Sequence, residues 1–278
     1  MPVTRFFHER PTDGRAYGFL RIAFGLVAVL SLLTVRPLLS LFYGSDAVCP
    51  SDFPAFLGST GAVRAVWGIG IASALLMAAG AFVRAVSILT YLALAFFFLT
   101  PCRPDNYGDQ ILVATAFLMI FAPGRDPMSL DARWLGRRGA DFSPWLHKTL
   151  RLFAGTLYLV PVLIRLGGAK WWDGTAAWAA LADPSTSRVW QALSRDPWIL
   201  PAWAYAAITY GSLAFEALFP FLVWVRRLRP FLVGAGIVFH LGMGVVLDLG
   251  LFPFQMAVVL IGCLDVTPSG SRGRLRGP

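Results

Sequence analysis

Charge is what this 278-residue sequence has least of: 14% of its positions are Asp, Glu, Lys or Arg, against about a quarter in a soluble domain. The shortage is uneven. Runs such as RIAFGLVAVLSLLTV, residues 21–35, hold a single cation. Hydrophobic residues make up 57% of the chain and mean hydropathy is +0.65. That pattern excludes an ordinary soluble enzyme and predicts an all-α, polytopic integral membrane bundle.

Cysteine is also scarce. Cys49, Cys102 and Cys263 form no CxxC pair, which excludes a thioredoxin-like centre and a cysteine-based zinc site. No metal site is expected. Cys49 and Cys102 fall on one side of the membrane in the topology below, where a disulfide could form. Motifs for nucleic acid are lacking as well. The net charge of +9 sits at the ends of apolar segments, so membrane lipids with anionic headgroups are the expected partners. The first apolar run follows about fifteen polar and basic residues and has no A-x-A site, so it is expected to stay as a helix.

What is present is a series of apolar runs near the roughly 20 residues that a spanning helix needs. Eight are read: 16–35, 65–83, 85–102, 109–123, 150–167, 202–225, 230–247 and 250–265. The fourth and eighth are short. With a cytoplasmic N-terminus, the inner segments hold Arg5, Arg10 and Arg15, then Arg84, then Arg125, Arg133, Arg137, Arg138, Lys148 and Arg151, then Arg226, Arg227 and Arg229, then Arg272, Arg274 and Arg276. The outer segments hold only Arg36, Arg64, Arg103, Arg165, Lys170, Arg188 and Arg195. This follows the positive-inside rule and puts both termini of a multi-pass cell-membrane protein in the cytoplasm. The expected divisions are a cytoplasmic segment 1–15, a transmembrane domain 16–266 and a disordered basic tail 267–278.

Six of the ten tryptophans, Trp171, Trp172, Trp178, Trp190, Trp198 and Trp203, crowd one outer stretch. Indole prefers the headgroup level, so short surface helices are expected near 174–182 and 186–194, broken at Asp183-Pro184.

Two ionisable residues sit deep in apolar helices. Glu216 and His240 lie on either side of the loop RRLR, 226–229. At about 1.5 Å per residue both reach roughly 15 Å above that loop. A charge there is costly by about 2.5 kcal/mol or more, which calls for a partner or a wet cavity. The expectation is that Glu216 and His240 meet, directly or through one water. A structural pair and a site that handles protons or binds a ligand fit equally. Gly236 and Gly244, four residues either side of His240, would admit a neighbouring helix or a flat ligand. Arg21, early in the first helix, either snorkels to the inner surface or reaches inward to hold an anion. Asn106 and Asp109 suit a helix N-cap or a polar site at the outer end; Ser129 and Asp131 suit a cap on the inner side.

Four stretches taken in order carry a resemblance. They are YGFLRIAFGL, NYGDQILVATAFLMIFAPGRDPMSLD, YLVPVLIRLGGAKWWDGTAAW and FHLGMGVVLDLGLFPFQMAVVL, spanning about residues 15 to 265. Together they are similar to the HTTM family, membrane domains related to the vitamin K-dependent gamma-carboxylase. The resemblance implies a reduced quinone as cofactor and a membrane histidine, matched by His240. It also implies a lysine base, whose position matches Arg165, and a second histidine that falls on Tyr107. An arginine is a poor base, so classical carboxylation is not expected. Arg165 could instead bind an anionic head, and Lys170 could substitute as base if burial lowered its pKa. His240, Glu216 and Lys170 are thus the candidate catalytic residues; Arg165, Asn106, Asp109, Trp172 and Arg21 are the candidate ligand-binding ones. The ligand would be a lipophilic quinone or a lipid. A non-catalytic binding or scaffold module for a lipid or a partner membrane protein, and a small proton-coupled transporter, are the alternatives.

Overall fold

The computed structural model describes residues 12–43, 59–100, 106–136, 141–188 and 200–265. Each of the eight expected segments is helical. They are α1 (Gly14–Val35), which leads into a short α2 (Leu39–Phe42), α3 (Thr60–Ala79), α4 (Val83–Phe98) and α5 (Tyr107–Met119); then, after a short α6 (Leu130–Trp134), α7 (Trp145–Arg165). Short helices α8 (Ala169–Trp172) and α9 (Ala176–Leu181) precede α10 (Ala202–Leu222), α11 (Arg229–Val246) and α12 (Phe252–Gly262). The one sheet among the described residues is a two-residue antiparallel pair, β1 (Thr12–Asp13) with β2 (Asp141–Phe142). Four helical stretches, Gly14–Phe42, α3, α10 and α11, are long and apolar enough to cross a membrane; α4 and α12 are shorter apolar helices. Cys49, Cys102, the segment 189–199 and the tail after Asp265 lie outside the described residues. So do the expected disulfide and most of the 186–194 helix.

The chain forms two compact units, Met1–Leu146 with Asp265–Pro278, and His147–Leu264. In the first, α1 packs on α3, α3 on α4 and α4 on α5. Small residues permit the close approach. A Cβ on Gly25 would lie 2.7 Å from the backbone nitrogen of Ala78, and one on Gly70 would lie 2.8 Å from Ala93 Cβ. Leu20, Phe24, Ala28 and Leu32 are buried along one face of α1, yet Leu26, Leu30 and Leu33 are exposed along another. A helix that is apolar on its outward face as well suits lipid, not water.

Arg21 does not snorkel. It is buried, and its Nε donates to Asp126 Oδ2 at 2.9 Å. Its Nη1 donates to the carbonyls of Met77 and Ala78 at 2.7 and 2.5 Å, in the last turn of α3, where carbonyls run out of intrahelical donors. Asp126 in turn accepts from Met128 N at 3.0 Å. The α3–α4 turn continues through Gly80, at φ 76°, and Phe82, at φ 53°. Asp131 secures it: its carboxylate accepts from Phe82 N and Val83 N at 2.8 and 2.9 Å, and its own N–H donates to Gly80 O. Asp131 therefore caps α4, while Ser129 caps α6 by accepting from Ala132 N.

In the second unit, α7 begins at Trp145, earlier than expected, because its cationic first turns are used inside the protein. His147 Nδ1 lies 2.8 Å from Gly262 O, and Arg151 Nε donates to Cys263 O at 2.8 Å. Both acceptors sit at the C-terminus of α12, where cations are favoured. Arg229 does the same for α10, donating to Val223 O at 2.8 Å. Gly155 of α7 lies against Pro220 of α10, 3.5 Å from a built Cβ to Pro220 Cβ, and α11 packs on α12.

Candidate functional site

The polar residues of the second unit converge from three helices. On α7, Tyr158 and Arg165 are seven residues apart, two turns on one face. Glu216 comes from α10 and His240 from α11. Glu216, His240 and Tyr158 are buried. The expected direct contact between Glu216 and His240 is not formed among the described residues. Glu216 accepts from Arg165 Nη1, and His240 Nε2 shares a 2.9 Å hydrogen bond with the Tyr158 hydroxyl. Equal depth brings two residues to one level of the bundle but does not aim them at each other. Phe215, the neighbour of Glu216, packs on Tyr158 and on Phe239, the neighbour of His240, at 5.8 and 5.7 Å between centroids, so the two pairs form one cluster.

Arg165 is held on two sides. The Trp171 ring lies 4.7 Å from its guanidinium carbon, a cation–π distance, and Glu216 neutralises its charge. The anion that Arg165 grips is the chain's own. Trp172, the tryptophan among the candidate ligand-binding residues, is exposed and donates its indole N–H to Leu166 O at 2.7 Å. Lys170 is exposed on α8. Burial, the condition for it to act as a base, is not met: the chain turns outward at Gly167-Gly168 before α8, and its charge acts on Asp173.

His240 is caged by rings. Phe239, Phe252 and Tyr158 lie 5.2, 5.5 and 5.8 Å from it, centroid to centroid, and Phe215 and Phe219 back the Tyr158 ring. A Cβ on Gly236 would come 3.2 Å from the Tyr158 oxygen, so glycine keeps that hydroxyl in reach of His240. Nothing among the described residues bonds the second imidazole nitrogen. Nδ1 is buried without a partner, which costs about 1–3 kcal/mol if left so.

The other candidates lie in the first unit. Asn106 caps α5, its Oδ1 accepting from Gly108 N at 3.0 Å. Asp109 is buried in that first turn. Tyr107, between them, is exposed. Arg21 spends its donors on Asp126 and on the end of α3. Sequence reasoning missed Tyr158, Trp171 and Asp126. Tyr158 was discoverable from its seven-residue spacing to Arg165; Asp126 had no local signal. No cluster of His, Cys, Asp and Glu among the described residues could hold a metal ion.

The chain belongs to the HTTM domain family, a membrane-associated family whose model matches residues 9–266. No curated protein and no solved structure matches it.

Proposed function

We propose that this HTTM domain crosses the cell membrane eight times with both termini in the cytoplasm, and that the Tyr158–His240 and Arg165–Glu216 cluster binds the polar head of a lipophilic quinone or a lipid. One observation carries the reading: the buried, ring-caged Nδ1 of His240 has no partner among the described residues. Donor counting gives that atom a role. If Tyr158 donates to Nε2, the neutral ring carries its proton on Nδ1 and leaves one orphan donor. The opposite tautomer leaves an orphan hydroxyl donor and an orphan acceptor. The first is cheaper, so Nδ1–H waits for an acceptor oxygen such as a carbonyl. The rings of Phe239 and Phe252 suit a flat apolar body beside it, whereas Gly236 and Gly244 admit Leu260 and Pro253 of the chain's own α12.

A quinol of the vitamin K type would supply redox chemistry when bound. The chain's own part is to hold an oxygen at His240, exclude water with aromatic rings and hold a proton at Nδ1. Carboxylation does not follow. Arg165 is engaged as a cation by Glu216, and Lys170 is exposed, so no general base stands by the histidine. That observation favours a binding module as the second reading.

The test is naphthoquinone binding to purified protein, followed by tryptophan quenching, in wild type and His240→Leu, with chromatography for quinone epoxide after reduction in air. Binding at least about tenfold weaker in the variant is expected, since a lost buried hydrogen bond is worth about 1.5 kcal/mol. Equal binding by both, or none by wild type, would overturn the quinone reading. Epoxide made by wild type and by the Arg165→Lys variant would identify an enzyme; binding without epoxide would identify a binding module.

A further inference from the structure

The segment PGRDPMSLDARW, residues 123–134, holds two acids between two bases, and the fold sorts them. Asp126 and Asp131 turn inward, one to Arg21 and one to the amides that open α4. Arg125 and Arg133 are left without a carboxylate partner among the described residues, as is Arg84 at the start of α4. Arg84 and Arg125 are neighbours, and Arg133 precedes the exposed Trp134 in α6. The Arg84 stem passes 3.9 Å from a Cβ built on Gly124; its Nη1 donates to Ile120 O at 3.0 Å. Arg125 is the next residue, and its Nη1 reaches Leu135 O at 3.5 Å, beside Trp134. The fold thus turns a nearly neutral sequence into a surface of one sign.

Two exposed rings join this surface. Phe82 is 63% and Trp134 60% exposed, with centroids 6.1 Å apart. Phe82 also sits at φ 53°, a left-handed conformation that disfavours any residue with a Cβ. Glycine would serve the turn better, and packing does not require the phenyl ring. Strain kept at an exposed aromatic residue points to use of the ring.

We propose that Phe82, Trp134, Arg84, Arg125 and Arg133 bind the phosphate headgroup of an anionic phospholipid, the guanidinia on the phosphate and the rings at the boundary between headgroup and acyl chain. Arginine suits phosphate by its forked donors. Aromatic rings settle at that level of a bilayer. Charge complementarity selects anionic over zwitterionic lipid, whose headgroup brings its own cation.

The experiment is native mass spectrometry of the full-length protein with added phosphatidylglycerol or phosphatidylcholine. Wild type should retain phosphatidylglycerol preferentially. At about fivefold per arginine near a lipid surface, Arg84→Gln/Arg125→Gln/Arg133→Gln should weaken it on the order of a hundredfold. The control Arg226→Gln/Arg227→Gln, at exposed cations of the other unit, should not. Retention by the triple variant at the wild-type level, or an equal loss in the control, would overturn the proposal. Phe82→Gly relieves the backbone conformation, so it should melt no lower than wild type while binding phosphatidylglycerol severalfold more weakly. Unchanged binding in Phe82→Gly would overturn the part assigned to the ring.

Discussion

Replacing Arg21 by methionine tests the internal frame of the first unit. The substitution leaves Asp126 as a fully buried carboxylate whose remaining bond is to Met128 N. It also strips a donor from Met77 O and from Ala78 O. Breaking a buried pair by removing one partner costs about 3–5 kcal/mol. Met77 O keeps its bond from Gly80 N, so the carbonyl loss adds little, and about 4 kcal/mol is expected in all. At roughly 2–4 °C per kcal/mol for a chain of this size, the melting temperature should fall by about 8–16 °C. Thermal unfolding in a mild detergent, followed by intrinsic fluorescence, reads this directly. The double variant Arg21→Met/Asp126→Asn removes the stranded charge yet keeps the oxygen that Met128 N uses. It should recover about 2 kcal/mol of the loss. A snorkelling arginine behaves differently, because surface substitutions stay within about 0.5 kcal/mol. A single variant that melts within a degree of wild type, or a double variant no better than the single, would refute the buried pair.

Gly80→Ala should lose about 2–4 kcal/mol in the same melt, because the position has φ 76° and the new Cβ would lie 2.6 Å from Ser129 Cβ; a melt matching wild type would refute the tight α3–α4 turn. Asp173 is held below the usual carboxylate range, first by the Thr175 hydroxyl and then by its amide. A depressed folded pKa gives stability that is present above the unfolded pKa and is lost as pH falls through the folded one. Thr175→Val should therefore move the Asp173 titration upward, seen by carbon NMR of the carboxyl, and start the acid loss at higher pH; an unmoved titration would show that the hydroxyl is idle.

The apolar helices were legible because a lipid-facing helix needs a long run of apolar residues, a signal that needs no tertiary information. Helix ends were less so, and α7 shows why. His147, Lys148 and Arg151 read as an inner loop by charge alone, yet two of them are buried on the carbonyls of Gly262 and Cys263, more than a hundred residues away. Arg21 has the same explanation: its anion, Asp126, sits in a turn signature that says nothing of burial. The depth of Glu216 and His240 followed from counting residues from the loop, but their pairing depends on helix rotation, which counting does not give. Trp171 and Trp172 differ by about 100° around their short helix, which is why only the first lies over Arg165, and the tryptophan cluster in the sequence does not say which.

The four family stretches divide by the use that the fold makes of them. In the first unit, Gly18 makes room for Asp126, whose Oδ1 would be 2.8 Å from a Cβ there. Arg21 joins that carboxylate to the end of α3, and Asp131 joins the next turn to α4. Each of these charges has its complement within the chain, so substitutions there should appear as lost stability. Among the described residues of the second unit the pairing in this cluster is one atom short: Arg165 has Glu216, Tyr158 has His240 Nε2, and His240 Nδ1 has no partner. An imidazole nitrogen buried among aromatic rings and left unbonded weakens the fold by itself. Its natural complement is a molecule from outside the chain. A variant there that costs little stability but abolishes binding is therefore the signature that separates ligand chemistry from architecture. Tyr158→Phe/His240→Leu, which removes the orphan nitrogen together with the hydroxyl that His240→Leu alone would strand, is the substitution best placed to show it, because replacing both partners by apolar groups should be close to neutral for stability.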